Sequence, residues 1–183
     1  MLQARPDVFN CSETSMKLTA LGTPVENVAR HEETHRAIES LWQELLVPVE
    51  SKFGAIKVTY GFAGHELVKA VRRRARELGR LPSVTPSRDQ HAGHELNTRG
   101  KPVCVRGGQA VDFYVPGHSS LDVADWVAAN LRFDRMYLYS ATQPFHLSWS
   151  ANPLGQIVKM IPKAGGGVRP QVVQRESPIT HGD

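Results

Sequence analysis

The most constraining feature of this chain is a carboxylate set in the middle of an apolar strand. Residues 110–115 read AVDFYV, with Gly107-Gly108 before them and Gly117 just after. The β-branched and aromatic residues suit a strand, and glycines mark its ends. Asp112 therefore sits between Val111 and Phe113, where burial is expected. A buried carboxylate without a partner costs several kcal/mol. Whatever fold forms must bring Asp112 a cation, a metal or hydrogen-bond donors. His146, between Phe145 and Leu147, has a similar setting in a second strand candidate. A lone strand histidine is more often a satisfied core residue than a ligand, so these positions gain meaning only as a set.

The surrounding pattern predicts an α+β fold, with helices packed on a mainly antiparallel sheet. Thr23-Pro24-Val25-Glu26 reads as a helix start, with Thr as N-cap and Pro in the first turn. Ile38, Leu41, Trp42, Leu45 and Leu46 continue it as an apolar stripe, which Pro48 should bend or end. Residues 55–60 look like a strand. A second helix spans about residues 65–78, closed by Gly79, with Pro82 and Pro86 beyond it. Residues 83–108 form a long polar excursion, read as a hairpin around Gly100. Loops of this length in a compact domain are usually functional. Ser119-Ser120-Leu121-Asp122 signals a third helix, and residues 135–139, 145–149 and 156–161 supply further strands. The expected organisation is a loosely ordered segment 1–22, one domain over 23–162, and a disordered tail over 163–183.

With 183 residues, 40% of them hydrophobic, the chain can bury a core without disulfides. Its two cysteines, Cys11 and Cys104, form no CxxC pair, and Cys104 is read as a small buried thiol. No apolar run is long enough to span a bilayer, and the first residues lack a signal-peptide layout. A cytoplasmic protein without a membrane partner is expected, and an enzyme released by lysis would read the same way. The net charge is +4, and Lys69, Arg72, Arg73, Arg74, Arg76 and Arg80 concentrate the excess. That run is a solvated helix face or a docking surface for an anionic polymer. It lacks interleaved aromatics and is not read as a nucleic-acid module.

Three segments carry the chemistry: Asp89-Gln90-His91-Ala92-Gly93-His94-Glu95, Gly107 to Phe113, and Pro144-Phe145-His146-Leu147-Ser148. A catalytic zinc keeps three protein ligands, typically imidazole and carboxylate, and one open position. The set resembles the hedgehog/D-Ala-D-Ala peptidase superfamily, the peptidase M15 group. Gly108-Gln109-Ala110-Val111-Asp112 matches its Gly-x-Ala-x-Asp half, Gln90-His91 its histidine half, and Phe145-His146-Leu147-Ser148 its distal strand. Val58-Thr59-Tyr60-Gly61-Phe62 is similar to the strand that enters the site from the other side. The resemblance covers roughly residues 40–162. It implies a hedgehog/DD-peptidase-like fold with zinc on His91, Asp112 and His146. It further implies an M15-type hydrolase of amide bonds, with a peptide or peptidoglycan-like substrate.

The chain departs from that pattern at three places. Twenty residues lie between His91 and Asp112, a much longer stretch than in the family, and His94 rivals His91 as first ligand. Gln143 stands where many members carry a glutamate that serves as general base. Loss of such a base typically costs about 10²- to 10⁴-fold, and His94 or Glu95 is the candidate replacement. Ala63 replaces the family's carboxylate-binding arginine, leaving Arg99 or Arg106 to substitute for it. A catalytically impaired zinc domain with a binding or regulatory role is therefore the alternative. A minor alternative is His31-Glu32-Glu33-Thr34-His35, which spells the HExxH of a zincin with His31, Glu32 and His35 in the active roles. The charges of Arg30, Glu33 and Arg36 around it suit a solvated face instead.

Overall fold

The computed structural model describes Gly22 and residues 24–79 and 90–173. Thr23 as N-cap, Cys11, Arg80, Pro82, Pro86 and the first part of the long excursion lie outside the described residues. So do residues 174–183.

Six strands form one sheet in the order β1-β2-β4-β3-β5-β6. They are β1 (Lys57–Tyr60), β2 (Gln109–Tyr114), β3 (Arg135–Leu138), β4 (Phe145–Trp149), β5 (Gln156–Pro162) and β6 (Val168–Val173). All neighbours are antiparallel except β3 and β5. The fold is thus α+β on a mostly antiparallel sheet, as the sequence pattern predicts.

Alternation along the strands separates two faces. Val111, Phe113, Met136, Leu138, Phe145 and Leu147 all point into one buried core. Helix α1 (Glu32–Leu41), a π-helical turn (Trp42–Leu46) and α2 (Val47–Phe53) cover that core with Leu41, Trp42, Leu45, Leu46 and Val49. Val123, Ala124 and Val127 of α4 (Ser120–Asn130) complete it. Each fully buried Leu or Val here contributes about 1.5–3 kcal/mol. Ser119 caps α4 as expected, accepting from the backbone N–H of Leu121 and Asp122. Helix α3 (His65–Glu77) packs separately, with Leu67, Val68 and Ala70 against Ala63 and Tyr60. No described helix is long and apolar enough to cross a membrane.

Three expectations need correction. The first helix starts not near Pro24 but at Glu32, with His31 in extended conformation before it. Tertiary bonds hold residues 24–30 out of the helix. Asn27 donates from Nδ2 to the Phe62 carbonyl at 2.9 Å and accepts from the Gly64 N–H at 2.9 Å. Pro48 neither ends nor breaks the helix, because the widened turn before it leaves Pro in the first turn of α2. A first-turn proline forgoes an N–H that has no intrahelical partner there. Finally, order does not stop at Lys163. Residues 163–167 make a tight turn, with Gly166 and Gly167 at φ 86° and 76°, and β6 pairs along β5. Pro170 is tolerated because β6 is an edge strand.

Candidate metal centre

On the face opposite the core, neighbouring strands place one residue each in a single row. Tyr60 pairs with Asp112, Asp112 with His146, and His146 with Tyr137. The alternation that sends Val111 and Phe113 into the core sends Asp112 to this other face. The apolar neighbours that made Asp112 conspicuous in sequence are therefore its platform.

His91 arrives from a single 3₁₀ turn, Gln90–Ala92, and is held by its backbone and its ring. Its carbonyl accepts from Ala63 N–H at 2.9 Å and Gln109 Nε2 at 3.3 Å. Its Nδ1 lies 2.8 Å from the Gly61 carbonyl oxygen. A carbonyl only accepts, so Nδ1 carries the proton. In the neutral ring, Nε2 is then a bare lone pair. That lone pair faces His146 Nδ1 at 3.2 Å and Asp112 Oδ1 at 3.3 Å. His146 Nδ1 is 2.9 Å from the same Oδ1.

Two acceptors, His91 Nε2 and Asp112 Oδ1, thus face one another beside His146 Nδ1, an arrangement that needs a proton on His146 Nδ1 or a cation among the three atoms. Metal-ligating histidines typically have the opposite nitrogen fixed by such a hydrogen bond. Tetrahedral ligands about 2.0–2.1 Å from a metal stand about 3.3 Å apart. The triangle of 2.9, 3.2 and 3.3 Å is close to that spacing. His91, Asp112 and His146 can therefore hold a metal ion. Their side chains are 5%, 33% and 12% exposed, so the carboxylate edge is the side open to solvent. Burial opposes ionisation of Asp112, but once the imidazoles carry protons the charge of His91 and the hydrogen bonds of His146 and His91 outweigh it. Its carboxyl is held well below the usual range.

Rings line the centre on both sides. Tyr60 meets His91 edge to face at 4.6 Å, and Tyr137 meets His146 at 4.9 Å. Tyr139, two residues beyond Tyr137 in sequence, feels the same carboxylate. Burial, then the charge of Asp112 and the neighbouring Tyr137, push its phenol above its ordinary value. None of these tyrosines stood out in the sequence. Only the strand register reveals them, through the pairing of Tyr60 and Tyr137 with the ligand row.

The structure separates the remaining candidates from this group. His94, the rival to His91, is bonded elsewhere. Its Nε2 accepts from the Gly108 N–H at 3.0 Å, and it does not join His91, Asp112 and His146. Glu95, also considered as a base, is buried beneath the start of α1. One of its oxygens accepts from Arg30 N–H, His31 N–H and Thr34 Oγ1 at 3.0, 3.1 and 2.9 Å. Cys104 is a buried thiol outside the cluster. Arg106 pairs with Asp134 rather than facing the centre. Arg99 is exposed on the hairpin around Gly100, where Leu96 and Pro102 bridge.

In the HExxH stretch, Glu32 is exposed and paired with Arg36, and His35 Nε2 lies 3.1 Å from the Ala29 carbonyl. His31 precedes the helix, which removes the shared helical face that a zincin needs. Among the described residues, only His91, Asp112 and His146 form a group able to hold a metal.

The chain matches no family model, no curated protein and no solved structure. What fold and site together define is a small α+β domain whose sheet presents a His-Asp-His group on its open face.

Proposed function

We propose that His91, Asp112 and His146 hold zinc and that the protein is a zinc-dependent hydrolase of an amide bond, of the hedgehog/D-Ala-D-Ala peptidase type. Peptides such as those of peptidoglycan are its substrate class. The observation that carries this reading is the meeting of one ligand atom each from His91, Asp112 and His146, with the His91 tautomer fixed by the Gly61 carbonyl so that its Nε2 lone pair faces the other two. A mostly antiparallel sheet with helices over its other face agrees with it. Two imidazoles and one carboxylate are a donor set that suits zinc. Zinc held there supplies Lewis-acid chemistry, polarising a carbonyl and acidifying a water to a pKa of about 7.

The chain's own residues supply the rest. Asp112 and the two histidines orient the substrate carbonyl at the open, carboxylate side of the group. Tyr60 and Tyr137 flank the histidine rings and keep solvent from them. Tyr139 keeps its proton and is 42% exposed, so its hydroxyl is available to donate to developing negative charge on the substrate. Arg135 lies on the same strand face, two residues before Tyr137, and its guanidinium has no acidic partner among the described residues. It takes the substrate's carboxylate, the role that the resemblance gives to the position of Ala63.

A second reading, a zinc domain used for binding or regulation, is favoured by one observation. Gln143, which stands where the resemblance expects a general base, cannot take up a proton, and no carboxylate other than Asp112 joins the group among the described residues. Two measurements decide between them. Purified protein should carry one zinc, lost in Asp112→Ala and His91→Ala and kept in His31→Ala and His94→Ala. Turnover of muropeptides or dipeptides should vanish with chelator and return with zinc. Bound zinc without any turnover leaves the binding domain; turnover that survives Asp112→Ala sinks the metal assignment.

A further inference from the structure

A second site lies on α3, away from the metal centre. His65, Lys69, Arg72 and Arg76 follow one another at steps of four, three and four residues, which places them along one helix face. Together they line a groove of about 390 Å³, whose other wall is the hairpin at Asn97 and Val103. Among the described residues, no acidic one lines it. The hairpin adds Arg99 and Lys101, and no acid occurs from Asn97 to Val103.

The acids of the same helix serve elsewhere. Glu77 pairs with Arg73 and Arg74, and Glu66 makes a long, exposed contact with Lys69 at 3.9 Å. Arg72 and Arg76 have no carboxylate partner among the described residues, and Arg72 Nε is buried without a hydrogen bond. A solvated face would leave its guanidinium nitrogens to water. Here Nε is withdrawn from water, and no acceptor reaches it among the described residues. Bringing three cations, Lys69, Arg72 and Arg76, to one wall costs mutual repulsion that an anionic ligand relieves.

We infer that this groove binds a linear chain of phosphate groups. The cations rise about 4.5–6 Å at each step along the helix, which suits successive charges on an extended polyanion better than one compact anion. Among the described residues the wall offers no aromatic platform apart from the His65 ring, so bases would gain little by stacking. The recognised feature is therefore the phosphate chain itself.

Fluorescence anisotropy with a labelled short polyphosphate, on the full chain and over a salt series, tests this. The double variant Arg72→Gln/Arg76→Gln should bind roughly tenfold or more weakly, and each lost cation should flatten the log–log salt slope by about 0.7. Arg73→Gln, which removes a cation already paired with Glu77, should stay within about twofold. If the double variant fails to fold by circular dichroism, Lys69→Gln with His65→Ala should show the same direction of loss. A single-stranded oligonucleotide of equal charge should bind no more tightly than polyphosphate. The inference is overturned by unchanged binding in the folded groove variants, by an equal loss in Arg73→Gln, or by no binding at low salt. Tighter oligonucleotide binding also overturns it, since that would mean recognition of bases.

Discussion

Two carboxylates, Asp112 and Asp134, sit on opposite sides of the turn that carries His91, and their surroundings differ in kind. Asp134 is fully buried and surrounded by donors. Arg106 reaches both its oxygens, Gln90 Nε2 donates at 2.9 Å and Leu154 N–H at 3.0 Å. It ties together the His91 turn, the loop before β2 and the loop before β5. Asp112 instead faces two imidazoles, one of which turns a lone pair toward it. A buried acid that is satisfied by fixed donors is structural. One that faces an imidazole lone pair can hold a cation.

The sharpest break in this comparison is removal of Asp134. Asp134→Ala strands the partly buried guanidinium of Arg106 and frees Gln90, and such losses cost about 3–5 kcal/mol. Denaturant unfolding should show that loss with or without metal. Acid should reveal the same pair. Burial opposes the charge of Asp134, but Arg106, Gln90 and the Leu154 N–H prevail and lower its folded pKa. Its contribution is therefore complete above the unfolded value of about 3.9 and fades as pH falls through the lower folded value. Asp134→Asn should flatten that acid limb. An unchanged limb would mean that Asp134 is not the structural acid.

Asp112 should behave in the opposite sense. In chelator, Asp112→Asn should change stability by less than about 1 kcal/mol, since it relieves an acceptor cluster as much as it removes a bond. With zinc at a hundred times its dissociation constant, the wild-type chain should gain about 2.7 kcal/mol, and Asp112→Asn should gain almost nothing. His94→Ala should retain the gain. Calorimetry with and without zinc reads all three. A variant that loses stability equally in both conditions would place Asp112 beside Asp134 as a purely structural acid.

How much of this was legible in sequence follows from the range of the forces involved. The strand around Asp112 and the cap of α4 at Ser119 rest on neighbouring residues, and both emerge from local pattern. The grouping of His91, Asp112 and His146 came from the resemblance, which left His94 as a rival to His91 that the local pattern could not separate. The start of α1 was misplaced because Asn27 is held by Phe62 and Gly64, far along the chain. The tail was misjudged because composition describes the glycines of residues 165–167 but not the β5 edge that their turn serves. Asp134 drew no notice beside Phe133, because its partners come from residues 90, 106 and 154. Long-range polar contacts are what a single sequence hides.

Glu95 supplies the last and smallest test of the contrast. It is, like Asp134, a buried carboxylate, and its sequence neighbours His91 and His94 suggested a catalytic base. Its contacts instead match those of Asp134: two backbone N–H groups at the opening of α1 and the Thr34 hydroxyl, all on one oxygen. A negative charge there also suits the positive end of the helix. Glu95→Gln keeps an acceptor but loses the charge, so it should cost about 0.5–2 kcal/mol, the usual range for a cap. Zinc content should not change, and any turnover should fall less than about twofold at saturating substrate, far short of the loss expected from removing a base. A loss of a hundredfold in turnover with stability intact would move Glu95 from the helix start to the chemistry.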